Sequence, residues 1–391
     1  MAEFYRLDNR IKHYDWGSLD LIPEFLGIPG NGKPCAELWM GSHPGAPSRV
    51  RLSGDTIGSL PYLLKLLAAE KPLSIQAHPS LEQARKGFAR ENKEGLALNA
   101  PTRNYRDPNH KPEILCALTP FTGMCGFRSP SEIARLIATF LEGPPSAPAP
   151  TVVREGLAPL LQALDEPDAD SALRNFFAAL FASSPALREA LTEFILRWDG
   201  TEDPPPAHEP ESCEWGLMRG FARQYPGDPA IIAPLYLNVF RLQPGEAIFL
   251  KASVLHAYIQ GFGVELMASS DNVLRGGLTR KHVDVPELMK VLDFSPLELS
   301  VMKPEPGASR FTYPVSCRDF SLTVMRGTGD RAMLANDGPA ICIVTEGEVM
   351  VGGESLEKGE SIFVPLGNPG EKSLEIQGFY TLYIASTGKP V

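Results

Sequence analysis

Glu346-Gly347-Glu348-Val349-Met350-Val351, followed by Gly359-Glu360-Ser361-Ile362-Phe363-Val364-Pro365, is the stretch whose reading decides the fold. An acidic-glycine turn leads into one apolar run, and a second glycine opens another run that proline closes. Short apolar runs rich in β-branched residues and bounded by such breakers read as strands. Strand–turn–strand units of this cadence build double-sheet jelly rolls. An earlier segment repeats the logic: Val239-Phe240-Arg241-Leu242, the turn Gln243-Pro244-Gly245-Glu246, Ala247 to Leu250, and then His256.

The cadence resembles that of cupins. In metal-binding cupins the second motif runs Gly, five residues, Pro-x-Gly, two residues, His. The C-terminal copy places Gly359, Pro365 and Gly367 in order, but Gly370 at the histidine position. The earlier copy has Gly245, then Lys251 and Ser253 at the Pro and Gly positions, and keeps His256. One metal site is therefore expected, in the earlier copy alone.

Working outward, the 37 prolines and 35 glycines favour many turns over long helices. Residues 1–128 read as short strands, with one helical run near Leu60 to Ala69. The character changes at Ser129-Pro130-Ser131-Glu132, a capping box with proline at the first helical position. Ile133, Leu136, Ile137, Phe140 and Leu141 follow at helical spacing. Beyond a Pro-rich break at 143–150, Leu173, Phe176, Phe177, Leu180 and Phe181 mark another helix. Leu187, Leu191, Phe194, Ile195 and Trp198 mark the next. A loop from Pro204 through Pro210 precedes a return to strands at about Leu235. These stripes read as core.

The predicted fold is mainly β, with two cupin-like jelly-roll domains and an inserted all-α helical domain. Residues 1–128 and 229–300 form the catalytic cupin, 129–228 the helical insertion, and 301–391 a C-terminal cupin-like domain without metal.

A chain of 391 residues can bury such a core by itself, so a monomer is predicted. With 37 basic and 47 acidic residues the net charge is −10, and no long basic run provides a nucleic-acid footprint. No apolar run is long enough for a membrane span, and the polar start at residues 1–10 lacks the apolar core of a signal peptide. The six cysteines form no CxxC pair, which points to reduced, mostly buried thiols and to the cytoplasm.

The chemistry concentrates in two places. Gln76-Ala77-His78-Pro79 and His110-Lys111-Pro112-Glu113 place metal-ligand side chains two residues apart. On a strand, Ser74, Gln76 and His78 share one face, with Leu73, Ile75 and Ala77 on the other. The same parity pairs Lys111 with Glu113, and His256 can complete the set. Nitrogen and oxygen donors without thiolate suit Zn²⁺ in an open site, although Mn²⁺, Co²⁺ and Fe²⁺ fit as well. The bland alternative is a pair of hydrogen-bonded core histidines. The second concentration runs from Tyr258 to Lys281 and includes Glu265, Asp271, Asn272, Arg275, Gly276, Gly277, Arg280 and Lys281. Arginine suits a phosphate or a developing oxyanion, and two glycines let backbone approach a ligand.

Five motifs then stand in one order: Tyr14-Asp15-Trp16-Gly17-Ser18, Ala36-Glu37-Leu38-Trp39-Met40-Gly41, Gln76 to Pro79, Asn109 to Glu113, and Ser270 to Arg275. The chain resembles type I mannose-6-phosphate isomerases along its length. The resemblance implies one zinc ion per chain on Gln76, His78, Glu113 and His256, with Arg275 as catalytic arginine. It places Ser74, Lys111, Glu265, Asp271 and Lys281 in the substrate pocket, and Trp16 and Tyr258 join them as substrate-binding candidates. Two departures bear on affinity: Arg280 stands where the family usually has proline, and Glu265 to Ser270 is slightly altered.

The implied reaction interconverts mannose 6-phosphate and fructose 6-phosphate by ring opening and proton removal alpha to a carbonyl, through a cis-enediolate. Glu265 is the preferred proton carrier, with Lys111 or a water held by Asp271 as rival, and His110 assists ring opening. Arg275 would stabilise anionic charge. Two other classes stay open: a cupin oxygenase using Fe²⁺ on His78, Glu113 and His256, and a non-catalytic sugar-binding bicupin.

Overall fold

The computed structural model describes residues 4–143, 148–197, 211–335, 338–366 and 373–388. The chain is mainly β, and every ladder between its strands is antiparallel among the described residues.

One sheet is ten-stranded and carries the chemistry. Its main path runs Ala247–Leu250, Glu113–Ala117, His256–Ala268, Tyr62–Ala69, Glu37–Gly41 and Arg10–Lys12. The long strand His256–Ala268 is its spine. Near its start it also pairs with Gln76–Ala77 and with Phe121–Phe127, and Gln76–Ala77 pairs in turn with Leu274–Arg275.

The helix expected near Leu60 to Ala69 is instead the strand Tyr62–Ala69, buried at every position. Leucine and alanine favour helix, but this segment lies between two neighbours and is covered on both faces. A short two-sided apolar run cannot be assigned by periodicity. Leu64, Leu66 and Ala68 pack with Tyr313, Phe320 and Ile341 of the C-terminal region. Lys65 and Leu67 face the opposite way.

The second sheet has eight strands, with Ser321–Ala335, Ser373–Ser386 and Ala340–Val351 at its centre. Val344, Val349, Val351, Leu356, Ile362, Ile376 and Leu382 form an apolar cluster within it. The N-terminal strand Tyr5–Asp8 joins this sheet by pairing with Ser361–Val364. Gly367 and Gly370 lie outside the described residues.

Helices Pro130–Glu142, Thr151–Ala163, Ala169–Phe181, Pro185–Arg197 and Glu211–Gln224 fall between strands Phe121–Phe127 and Leu237–Leu242. The predicted stripes on the first, third and fourth are buried together, except that Phe181 is half-buried and Trp198 lies outside the described residues. Ser129 caps the first by accepting from the Glu132 backbone N–H at 3.3 Å, with Pro130 at its first turn. The capping box is only half made, because the Glu132 carboxylate turns to Arg128 instead. Helical turns continue through Pro229–Ile232 and Ala233–Tyr236, so strand resumes at Leu237 rather than Leu235. The helical core includes Ile75, Ala77, Leu274 and Leu278, and thus underlies the loops that carry the chemistry.

Candidate metal centre and substrate pocket

The spine strand assembles the site by register. Its partners place Lys65 opposite Glu265, and Glu113 opposite Met267, on one face. His256 starts the same strand opposite Gln76, which itself stands opposite Arg275. Simple alternation would put His256 and Glu265 on opposite faces. A register shift between Tyr258 and Gln260 inserts the extra residue that reconciles them. Tyr258 consequently packs with Leu67 and Leu115, the face of Lys65 and Glu113.

Three donors converge. His78 Nε2 lies 3.4 Å from Glu113 Oε1, and His256 Nε2 lies 3.5 Å from Glu113 Oε2. One atom from each residue falls within 4.8 Å of the others, and all three side chains are buried. The imidazoles are oriented from behind: His78 Nδ1 meets the Asn272 carbonyl at 2.6 Å and His256 Nδ1 meets the Val254 carbonyl at 3.0 Å. A carbonyl only accepts, so both Nδ1 atoms carry the proton and both Nε2 lone pairs point at the centre.

His78 Nε2, His256 Nε2 and Glu113 Oε2 have no hydrogen-bond partner. Buried polar atoms are rarely left so, and three on one centre are what a bound cation would satisfy. The set fits zinc. Gln76 shares the His256 face by register and is half-buried.

Burial and the charge of Lys111 push the His78 imidazole down to about 4, so it is neutral. Burial alone would raise the Glu113 carboxyl. Lys111, whose Nζ is 2.7 Å from Oε1, leads the groups that hold it well below its ordinary value.

Beside this centre lies a buried ion network. Lys65 Nζ donates to Glu265 Oε2 at 2.9 Å and to Glu37 Oε1 at 3.2 Å, while Trp39 Nε1 donates to Glu37 Oε2 at 2.8 Å. Burial raises the Glu265 carboxyl against the opposing pull of Lys65. Tyr258 is buried too, and burial followed by the charges of Glu265 and Glu113 lifts its hydroxyl well above the ordinary value.

On the outer side stand Arg106, Arg275 and Lys281. Burial and then Arg106 lower the Arg275 guanidinium, and burial followed by Arg275 and Arg106 lowers the Lys281 ammonium. None of the three has a salt-bridge partner among the described residues. Asp271 is half-exposed and pairs with His43 at 3.4 Å, which leads the causes of its lowered pKa.

The remaining predicted residues are placed as follows. His110 Nε2 meets Asp319 Oδ2 at 2.8 Å, so its ring is tied to the C-terminal region. Trp16 stacks on Tyr14, with ring centroids 5.7 Å apart. Ser74 is half-buried. Only Gln76–Ala77 of its segment is regular strand. Ile75 and Ala77 face the helical core as alternation requires, but Leu73 packs beside Tyr258 instead.

A family model described as "Phosphomannose isomerase type I, catalytic domain" matches residues 4–53 and 51–130. The mannose-6-phosphate isomerase of Escherichia coli (strain K12) is 34% identical over 389 residues, covering 92% of this chain and 94% of its own. The chain belongs to the type I phosphomannose isomerase family. The human mannose-6-phosphate isomerase is 33% identical over 411 residues, covering 92% of this chain and 93% of its own. A crystal structure of zinc-bound mannose 6-phosphate isomerase superposes with a TM-score of 0.85 at 33% identity, covering 99% of this chain and 100% of that one. The apo form from Salmonella typhimurium gives 0.85 at 33% identity over 100% of both chains.

In this family member, sequence reasoning missed Lys65, Glu37 and Arg106, and assigned Asn272 no role. Lys65 was legible in principle: a lone lysine inside an eight-residue apolar strand needs a buried acidic partner. Arg106 had no signal beyond its closeness in sequence to the His110–Glu113 motif. Cys35, Cys116, Cys125, Cys317 and Cys342 are free and buried, and no described helix is long and apolar enough to cross a membrane.

Proposed function

We propose that this protein catalyses the reversible isomerisation of D-mannose 6-phosphate and D-fructose 6-phosphate through a cis-enediolate, with one zinc ion per chain. The observation that carries the reading is the convergence of His78, His256 and Glu113, each with a buried donor atom that has no hydrogen-bond partner, in a member of this family. Gln76, His78, Glu113 and His256 would hold the ion. Zinc, when bound, supplies a Lewis acid that polarises the sugar's carbonyl and hydroxyl oxygens.

The chain's own residues divide the remaining work. Glu265 moves the proton between the two sugar carbons, since burial raises its carboxyl above the ordinary carboxylate value and makes it a better base. Lys65 holds it in place. Lys111 is the weaker candidate because its ammonium is paired with Glu113. Arg275 stabilises anionic charge at the reacting end. Lys281, with Arg106, neutralises the phosphate, and these cations have no competing carboxylate bonded to them among the described residues. Asp271 holds a water at the mouth of the pocket. His110, oriented by Asp319, assists ring opening, and Ser74, Trp16 and Tyr258 line the sugar's path.

The same reading assigns residues 1–128 and 229–300 to a catalytic cupin-like jelly roll, 129–228 to a helical insertion, and 301–391 to a second cupin-like unit. The apolar cluster of Val344, Val349, Val351, Ile362 and Leu382 in the second sheet supports reading no metal there. It also makes the protein a cytoplasmic monomer acting on a small sugar phosphate, with neither nucleic acid nor membrane as partner. The oxygenase and binding-only alternatives are not favoured, because the relatives carry isomerase names.

A coupled assay of mannose 6-phosphate turnover, before and after chelation and zinc restoration, tests this. Turnover that disappears with the metal and returns with zinc is expected; no turnover in the zinc-loaded protein refutes the reading.

A further inference from the structure

We propose that Asn272 is a positioning residue that locks the candidate metal ligand His78 and the Arg106 segment into one frame. Its backbone carbonyl takes the His78 Nδ1 proton at 2.6 Å, which fixes the ring and aims Nε2 at the centre. Its side chain faces the other way along the pocket. Oδ1 accepts from the backbone N–H of Arg106 at 2.6 Å and of Asp107 at 3.2 Å. Nδ2 donates to the carbonyls of Asp107 and Asn109, both at 2.8 Å.

The residue is wholly buried, so each of these bonds forms without competing water. Only a carboxamide of this length satisfies the set. Two N–H groups demand an acceptor and two carbonyls demand a donor, which also fixes which amide atom is which. Aspartate would aim a carboxylate oxygen at two carbonyl oxygens. The clamped backbone at 106–109 leads directly into His110-Lys111-Pro112-Glu113, so one side chain sets the approach of Glu113 as well as the root of Arg106. The Asp107 carboxylate reinforces the frame: it accepts from Ser270 Oγ at 2.9 Å and from the Asp271 N–H at 2.7 Å, and more weakly from Asn272 Nδ2 at 3.3 Å.

Partners behind a metal-ligating histidine change affinity by roughly 10–100-fold when altered. The test titrates zinc into apo wild type, Asn272→Asp and Asp107→Ala against a chromophoric chelator, then measures KM and kcat for mannose 6-phosphate at saturating zinc. Asn272→Asp is expected to weaken zinc by about 10–100-fold and to raise KM more than it lowers kcat. Asp107→Ala, which leaves the bonds of the Asn272 side chain to the 106–109 backbone in place, is expected to weaken zinc less than Asn272→Asp does. Zinc affinity of Asn272→Asp within about twofold of wild type, or an equal loss in Asp107→Ala, overturns the assignment. Should Asn272→Asp be recovered unfolded, Asn272→Ser is held to the same outcomes. The KM arm rests on the isomerase reading, but the zinc arm does not. Failure of wild type to turn over the sugar would therefore sink that reading while leaving this one decided by the titration.

Discussion

Lys65 Nζ lies 2.9 Å from Glu265 Oε2, and the two residues stand directly opposite each other on neighbouring antiparallel strands. Lys65 also reaches Glu37, so one ammonium serves two buried carboxylates. Burial alone would lower the ammonium, and the two carboxylates outweigh it and raise its pKa. Removing one member of such a network leaves uncompensated charge, which costs about 3–5 kcal/mol. Lys65→Met should therefore lose stability on that scale in urea unfolding, and turnover with it. A variant as stable as wild type would show that Glu265 and Glu37 do not depend on this lysine.

The proton-carrier role separates from that structural one. Glu265→Gln keeps an acceptor oxygen for Lys65 while removing the base. It should fold, bind zinc, and fail to exchange the sugar C2 proton with solvent. Undiminished exchange, followed by NMR in deuterated buffer, would transfer the role to Lys111.

Metal removal has a stability consequence because His78 Nε2, His256 Nε2 and Glu113 Oε2 are buried without hydrogen-bond partners in the ion's absence. A ligand bound only by the folded state adds about 4.1 kcal/mol at a thousandfold excess over its Kd. Chelated protein should melt lower, recover with about one zinc per chain, and lose that response in His256→Ala. A melting temperature indifferent to zinc in wild type would remove the ion from the centre.

Much of the site was legible because its parts obey local rules. Two-residue spacing put Lys111 beside Glu113, and the cupin-like cadence singled out His256 and set Ser253 at a position where the motif has glycine. That residue does adopt φ +68°, rare for serine, with its N–H donating to the His78 carbonyl at 2.7 Å. The rest depended on tertiary register. Lys65 was lost because two-sided burial turned a helix-favouring leucine run into a central strand. The common face of His256 and Glu265 needed the bulge near Tyr258, which alternation alone cannot reveal. Asn272 earned no role because its partners at 106–109 lie far away in the chain.

Ser253 supplies its own test. A non-glycine residue in the left-handed region carries about 1–3 kcal/mol of strain, which β-branching increases. Glycine relieves the strain but adds unfolded-state entropy and deletes the Ser253 Oγ to Gln83 Oε1 bond of 3.2 Å. Ser253→Gly should stay within about 1 kcal/mol of wild type, whereas Ser253→Val should lose more than about 2 kcal/mol. Equal stabilities in thermal unfolding would show that the positive φ is not retained.

Arg275 stands across the ladder from Gln76 and close enough to Arg106 for the two charges to repel. Such crowding is tolerable while part of the guanidinium surface still reaches water, and an anion bound between the cations would relieve it. Arg275→Ala should therefore fold normally, with an unchanged or slightly raised melting temperature. Its kcat/KM should fall by about 10²-fold or more, equivalent to about 2.7 kcal/mol of lost transition-state stabilisation. Added salt should weaken wild-type substrate binding more than that of the variant, because screening acts on a charge the variant lacks. Near-normal turnover in Arg275→Ala would strip the residue of its role and leave Arg106 and Lys281 to carry the phosphate alone.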